Sequence, residues 1–227
     1  MRIVKSLFFL IVLSLVINAC RQKDAPPDRF FDYRVWGDEE SGMITIRLQY
    51  RMGGPDGQPV PVSPGTIVAF DGFDIRPDSS KRNGPYYEAD RPVDGFAGIH
   101  RIEYTAPGQA PVTEEFEFPL FSLSAPVAEV LPRKDIILEL EGLNDGEVVN
   151  TLVNDTSFLS RGIDRMDTIR SGRILISSAD LRDLTDGPIS LEIYKEKERT
   201  LKAAGKLGGK LSLSYGIKCE FELKQAE

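Results

Sequence analysis

Few residues in this chain have side chains that could act as a catalytic base or as a soft metal ligand. His100 is the only histidine, and Cys20 and Cys219 are the only cysteines. Most nucleophilic triads need an imidazole, and zinc sites need several thiolates or imidazoles. His100 alternates with Ile102 and Tyr104, and in a β-strand this spacing turns all three side chains to one face. The sequence therefore predicts a structural role for His100, and neither a metal site nor a cofactor.

Carboxylates are the one abundant class of reactive side chain. The chain has 35 Asp and Glu residues against 28 Lys and Arg, a net charge of −7, which argues against binding to nucleic acid. Two carboxylates roughly 5 to 10 Å apart in a cleft can hydrolyse a glycosidic bond, so a carboxylate-based hydrolase is one alternative function. Asp71, Asp74 and Asp78 offer oxygen ligands for Ca²⁺ but lack the spacing of a known calcium loop. We expect turn formation from them, and whether the acidic loops bind Ca²⁺ stays open.

Three aromatic residues, Trp36, Tyr86 and Tyr87, are candidates for contact with a glycan. An exposed aromatic ring has an apolar face on which a sugar ring can stack. The two tyrosines follow a turn at 83–85, and neighbouring residues of an extended strand point to opposite faces. One of the two is therefore expected in the core. A surface carbohydrate-binding protein is a second alternative function.

The first twenty residues carry the most specific motif in the chain. Arg2 and Lys5 precede an apolar run, 7–17, that is too short to cross a bilayer of about 30 Å as a finished helix. This is the pattern of a secretory signal peptide. The segment 17–20, Ile-Asn-Ala-Cys, resembles the lipobox of bacterial lipoproteins, in which an aliphatic and a small residue precede a cysteine. The resemblance implies cleavage between Ala19 and Cys20, with a diacylglyceryl group on the Cys20 thiol and an acyl chain such as palmitate on the new amine.

A lipidated Cys20 would keep the protein on its membrane, because two or more acyl chains give stable attachment where one gives only reversible binding. Arg21 occupies the position at which an aspartate would resemble an inner-membrane retention signal. The expected location is therefore the cell outer membrane, with its periplasmic and surface-exposed faces both open. Two alternatives remain: an ordinary secretory signal with Cys20 as a coincidental thiol, and an uncleaved transmembrane anchor.

Alternating apolar and polar residues predict β-strands in the rest of the chain. In 43–50 the even-numbered positions are apolar or tyrosine, and 100–105 with 115–118 indicates a closing hairpin. An Asn-Asp-Gly turn at 144–146 predicts either a hairpin or a tight strand connection. The longest alternation, 211–223, has its apolar residues at odd positions, and we expect a bend or bulge at Gly216.

The pattern divides the chain into a signal peptide (1–19), a lipidated cysteine with a short linker (20–28), and two domains (29–123 and 124–227). Prolines between 119 and 132 place the boundary near Ser124. The halves end alike, with Glu-Phe-Glu-Phe at 115–118 and Glu-Phe-Glu-Leu at 220–223, which indicates two similar modules. Short strands between turn clusters predict an all-β fold of two tandem antiparallel immunoglobulin-like β-sandwich domains.

This organisation resembles that of two-module lipoproteins of Bacteroidota without assigned activity. The resemblance implies a non-enzymatic, lipid-anchored cell-envelope protein that acts as a binding, spacer or accessory module. Its partners would be the membrane, through the lipid at Cys20, and an envelope protein or a glycan. The triplet Asp167-Thr168-Ile169 is similar to the O-glycan acceptor sequence of that phylum, which makes Thr168 a candidate glycosylation site.

Overall fold

The structure is a computed structural model that describes residues 28–157, 160–202 and 206–225. The predicted signal peptide, its cleavage site at Ala19 and Cys20, and the lipidation site Cys20 lie outside the described residues. Within the described residues, no helix has the length and apolar character needed to span a membrane.

Strands make up nearly all of the regular structure, as the sequence predicts. One short 3-10 helix, Asp180–Asp183, interrupts them. In chain order the strands are β1 (Arg29–Asp38), β2 (Met43–Met52), β3 (Ile67–Phe70), β4 (Phe73–Asp74), β5 (Pro77–Ser80), β6 (Gly84–Pro92), β7 (Ile99–Thr105), β8 (Val112–Glu117), β9 (Ser122–Leu123), β10 (Val130–Pro132), β11 (Ile136–Glu141), β12 (Val148–Asp155), β13 (Ile163–Thr168), β14 (Arg173–Ile176), β15 (Gly187–Thr200) and β16 (Gly209–Lys224).

Three sheets form a two-layered structure. The long sheet has the order β13-β12-β15-β16-β1-β2-β6-β5, with β10 beside β16; the smaller ones are β4-β3-β7-β8 and β14-β11-β9. One face of the long sheet carries the core residues, and the smaller sheets cover it. Phe31 of β1 meets Tyr104 of β7 with ring centroids 5.0 Å apart, and Tyr215 of β16 meets Phe121, just before β9, at 5.6 Å. The other face of the long sheet is left to polar side chains.

The all-β prediction and the sandwich packing are confirmed, but the long sheet does not stop at the predicted boundary. The first half of β16, Gly209 to Gly216, pairs in parallel with β1. The first half of β15 pairs with β12, and the end of β16 pairs in parallel with β10. The β15–β16 hairpin thus joins strands from both predicted modules. The boundary near Ser124 stays a prediction, and the sheet contains two parallel pairs that the antiparallel prediction lacks.

Most of the predicted alternation is confirmed. The even positions of β2 from Ile44 to Tyr50 are buried, and so are the odd positions of β16 except the half-buried Cys219. Of the bend or bulge expected at Gly216, the bulge is wrong, because the pairing of β15 with β16 is unbroken from one end to the other, and the bend stays a prediction. The Asn-Asp-Gly turn at 144–146 is a strand connection and not a hairpin, since β11 and β12 belong to different sheets.

Candidate functional site

His100 takes the structural position predicted for it. Its ring stacks on Phe96 with centroids 3.9 Å apart, and Nε2 donates a hydrogen bond to the Phe96 carbonyl at 2.9 Å. Nδ1 lies 2.8 Å from a carboxylate oxygen of Asp71. The side chain is buried in the core, so the imidazole is committed to packing and to two internal partners.

Of the three acidic residues expected to form turns, Asp71 does so, whereas Asp74 lies in β4 and Asp78 in β5. Asp71 has a φ of +49° and Gly72 a φ of +80°, the left-handed pair that a two-residue hairpin between β3 and β4 requires. The second Asp71 carboxylate oxygen accepts from the backbone N–H of Arg101 at 2.8 Å. In the part of the chain that the structure describes, no three His, Cys, Asp or Glu residues are grouped so as to hold a metal ion.

Two of the three aromatic candidates come together on the polar face of the long sheet. Arg47 of β2 lies between β1, which carries Trp36, and β6, which carries Tyr86. Its guanidinium carbon is 5.2 Å from the Trp36 ring centroid and 4.9 Å from that of Tyr86. Glu88 accepts from Nε of Arg47 at 2.5 Å and so fixes the guanidinium. The result is a rigid aromatic–cation–aromatic row, Trp36–Arg47–Tyr86, with part of each ring open to solvent.

Tyr87 is the tyrosine that belongs to the core, as the alternation predicts for one of the pair. It is 6% exposed and contacts the ring of Tyr50 with centroids 5.9 Å apart. Tyr86 instead donates a hydrogen bond to Asp78 at 3.1 Å, and this bond raises the pKa of Tyr86 above its usual range. Tyr87 is therefore removed from the candidate glycan contacts, and Trp36 and Tyr86 remain.

A polar pocket of 250 Å³ adjoins the aromatic–cation row. It is lined by Asp32, Arg34, Arg47, Gln49, Arg51, Pro59, Arg82 and Asn83. Asp32 is the one carboxylate in this lining, and its side chain is 3% exposed. It accepts from Arg34 at 3.2 Å and from Arg51 at 2.9 Å. We call this concavity the arginine pocket.

The arginine pocket continues into a larger groove of 570 Å³, which shares Arg34 and Arg47 with it. The groove passes Trp36 and ends on β15 and β16, where Ser212 and Lys210 line it. Volumes of this size are typical of small-molecule and cofactor sites, roughly 300 to 1,000 Å³. Across the polar face of one rigid sheet, the two concavities therefore offer an aromatic ring, hydroxyls and fixed cations in one continuous surface.

Two carboxylates, Glu196 and Glu198, also line this groove. They occupy alternate positions on β15 and share one face, which sets them about 7 Å apart along the strand. Glu198 accepts from the Ser212 hydroxyl at 2.8 Å and from Lys210 at 3.2 Å. These bonds lower the pKa of Glu198, the one from Ser212 most, so its carboxylate is ionised at neutral pH.

The predicted modification and thiol sites are placed without a functional partner. Thr168 is exposed and is the last residue of β13, a strand at the edge of the long sheet. That position leaves its hydroxyl accessible, and its glycosylation stays a prediction. Cys219 is half-buried against the core, and burial raises the pKa of its thiol to about 11, so the thiol is predominantly protonated and unreactive at neutral pH.

The arginines of the pocket are the site residues that the sequence analysis missed. Arg47, Gln49 and Arg51 alternate on β2, and the sequence identifies them only as the solvent face of a strand. The available signal is the concentration of arginine in an acidic chain. Its meaning depends on the β1–β2 register, which places Arg34 directly opposite Arg47, and on the pairing of β2 with β6, which brings Arg82 and Asn83 to the same concavity. The pairing of β2 with a segment more than thirty residues farther along the chain is not encoded in a local pattern.

No protein-family model matches this chain, and no curated protein matches it. Among solved structures, the IG1 and IG2 domains of DIP-gamma share 8% identity, with 88% of this chain and 99% of that chain covered and a TM-score of 0.24. The N-terminal Ig1-2 module of the Drosophila receptor protein tyrosine phosphatase DLAR shares 8%, with 88% and 97% covered and a TM-score of 0.23. A bacterial ice-binding adhesin shares 10%, with 89% and 66% covered and a TM-score of 0.25. Scores this low give no residue correspondence and assign no function.

Proposed function

We propose that this protein is a non-enzymatic, lipid-anchored cell-envelope module that binds a glycan on the polar face of its long sheet. The observation that supports this most is the Trp36–Arg47–Tyr86 row, which presents two partly open rings beside a groove. A binding site with aromatic side chains in a fixed orientation loses little conformational entropy when a ligand docks.

The groove also has the polar groups that orient a sugar ring. Ser212 and Ser214 lie on the same face of β16 and line the groove together with Trp36. Hydroxyl and charged groups convergent on an apolar platform are the usual composition of a small-ligand site. The row is built on three paired strands and not on loops, and sites on rigid elements hold their geometry more closely.

Substitution of Trp36 tests the proposal. Trp36→Ala removes one stacking face and one contact of Arg47, and we expect affinity for a bound oligosaccharide to fall about tenfold. Phe73→Ala is the matched control, because Phe73 is an aromatic residue 68% exposed on β4, in another sheet. Titration calorimetry against oligosaccharides selected on a glycan array measures both. Equal affinity of the two variants would contradict the site, and an array on which no glycan binds would contradict the function.

The alternative partner, an envelope protein in place of a glycan, is tested in the cell. Cross-linking in intact cells, followed by identification of the captured chains, distinguishes a glycan-bound module from an accessory subunit. A cross-link from the Trp36 face to one protein at defined stoichiometry would replace the glycan proposal with a protein interface.

A carboxylate-based hydrolase remains the second candidate, because Glu196 and Glu198 line one groove at alternate positions of a strand, a backbone separation of about 7 Å that allows the carboxyl distances such enzymes use. Retaining and inverting enzymes need one protonated and one ionised carboxyl group, and Glu198 supplies the ionised one. Release of reducing ends from an oligosaccharide, abolished by both Glu196→Gln and Glu198→Gln, would establish the hydrolase. Binding without product formation supports the module proposed here.

A further inference from the structure

The arginine pocket contains more cations than the carboxylates paired with them. Arg34 is directly opposite Arg47 in the β1–β2 register, and like charges at directly opposed positions destabilise a strand pair. Two carboxylates form ion pairs with these arginines: Asp32 is shared by Arg34 and Arg51, and Glu88 is paired with Arg47. Four guanidiniums therefore share two carboxylates, in a chain whose net charge is −7.

Three of the four guanidiniums, those of Arg34, Arg47 and Arg51, are held in place before any ligand arrives. Asp32 is buried and accepts from both Arg34 and Arg51, and Gln49 accepts from Arg51 at 2.7 Å. Gln49 in turn donates to the backbone carbonyl of Asn83 at 2.7 Å. A cation whose side chain is already ordered loses less entropy when it binds an anion, and an arginine fork matches the two oxygens of a carboxylate or sulfate.

Arg82 completes the pocket from the turn between β5 and β6. Its side chain is exposed and lines the concavity. Within residues 28–157, 160–202 and 206–225, it forms no hydrogen bond or ion pair. Arg34 is bound to Asp32 on one side only and is 51% exposed. The positive charge of Arg82 in the pocket is therefore not balanced by a carboxylate, and that of Arg34 is balanced only by Asp32, which Arg34 shares with Arg51.

We infer that the arginine pocket binds the oxyanion of an acidic glycan, a uronate carboxylate or a sulfate, whose neighbouring sugar rings lie in the groove beside Trp36. This inference rests on the glycan-binding function proposed above and specifies the class of ligand. The pocket and the groove share Arg34 and Arg47, so one oligosaccharide can occupy both concavities. One charged group would lie over the cations and the next ring on the aromatic face of Trp36, with the charge of that ring directed away from Glu196 and Glu198 in the groove.

The test compares oligogalacturonate with its methyl ester, which has the same sugar chain without the charges, by titration calorimetry on the folded protein. We expect the methyl ester to bind about tenfold more weakly, because an esterified carboxyl group cannot form the charge-assisted hydrogen bonds that the carboxylate forms with the arginines. A sulfated chondroitin oligosaccharide and its desulfated form make the second arm, which distinguishes sulfate from carboxylate as the preferred anion. Affinity for the acidic ligand should also fall as salt is raised.

Two substitutions locate the anion. Arg82→Gln removes a charge that has no partner in the fold, and Arg34→Gln removes the cation shared by pocket and groove; each should weaken acidic-ligand binding about five- to tenfold. Arg182→Gln is the matched control, an exposed arginine on the 3-10 helix. Arg82→Gln keeps the test valid if Arg34→Gln lowers stability.

The outcomes separate this inference from the function on which it rests. Selective binding of an acidic ligand, weakened by Arg82→Gln and not by Arg182→Gln, supports it. Equal binding of charged and neutral ligands, or acidic binding that neither pocket variant changes, overturns it and leaves the glycan module standing. Absence of binding to every oligosaccharide overturns both.

Discussion

At the scale of single residues, the only imidazole of the chain shows how a chemically capable group is committed to the fold. His100 forms a stack with Phe96, a buried hydrogen bond to the Phe96 carbonyl and a second hydrogen bond to the carboxylate of Asp71 at the edge of the core. Removing the ring would leave a cavity and a buried carbonyl without its donor, two costs that add. His100 differs in this respect from the arginines of the pocket, where four guanidiniums share two carboxylates.

His100→Ala should lower the free energy of unfolding by about 2 to 4 kcal/mol, without changing affinity for a ligand at Trp36. Ile99→Ala is the control at the neighbouring position, where the side chain is 77% exposed and the expected change is within about 0.5 kcal/mol. Urea denaturation measures both variants. An unchanged midpoint for His100→Ala would show that the ring is dispensable for the fold.

The Cys219 thiol gives a pH-dependent prediction. Its pKa is raised from 9.0 to about 11 by burial, and the thiolate is the reactive form. At pH 8 the native thiolate fraction is then about a hundredfold smaller than that of an unperturbed thiol with the usual value. We expect slow alkylation by iodoacetamide in the native Cys20→Ala variant and fast alkylation in urea. Because the native pKa lies above the unfolded one, the contribution of Cys219 to stability is complete below pH 9 and declines between pH 9 and 11.

At the scale of elements, the β15–β16 hairpin connects the two halves of the chain. Leu213 of β16 is buried beside Val35 of β1, and farther along the same strand Phe221 is buried beside Ile189. A strand of 16 residues that contributes to both ends of the core transmits a local loss of packing along its length. The two halves are therefore expected to unfold together.

Leu213→Ala should cost about 2 to 5 kcal/mol and should lower the protection of β2 and β12 alike in amide exchange, although β12 is far from the substitution along the sheet. The exposed Ile137→Ala on β11 is the control, with almost no effect on either strand. Loss of protection confined to β2 would mean that the halves open independently.

The elements also show how far the sequence could predict this fold. Local alternation was enough to predict β2 and β16 and their buried faces, because a strand with one buried face has an apolar residue at every second position. The partners of these strands were not predictable in the same way. The parallel pair between β1 and β16 joins segments about as far apart in sequence as the chain allows, and no local pattern encodes that pairing. The arginine pocket depends on the β1–β2 register, which places Arg34 opposite Arg47, and on the β5–β6 turn, which brings Arg82 and Asn83 to the same concavity.

At the scale of the whole molecule, the position of the groove is related to the proposed anchor. Eight residues, 21–28, separate Cys20 from β1, and such a connection spans at most about 30 Å. Trp36 lies seven residues along β1 from Arg29, about 23 Å farther at the usual rise of a strand. A lipid at Cys20 would thus tether the protein close to its membrane while leaving the groove at the far end of β1.

Anchoring through Cys20 is tested by its replacement in the cell that makes the protein. Cys20→Ala should abolish incorporation of a labelled fatty acid and release the protein from the membrane fraction. The variant has no acyl chains, and each CH₂ of such a chain contributes about 0.8 kcal/mol to membrane binding when it is buried in the bilayer. Cys219→Ala is the matched control, since it removes the only other thiol and should leave labelling and membrane attachment unchanged. Membrane attachment that survives Cys20→Ala would favour an uncleaved apolar segment at 7–17. Loss of labelling in Cys219→Ala would show that the lipid is attached to Cys219 and would contradict lipidation of Cys20. The expected pair of results would place the polar face of the long sheet on a lipid-anchored protein, where an acidic envelope glycan can reach it.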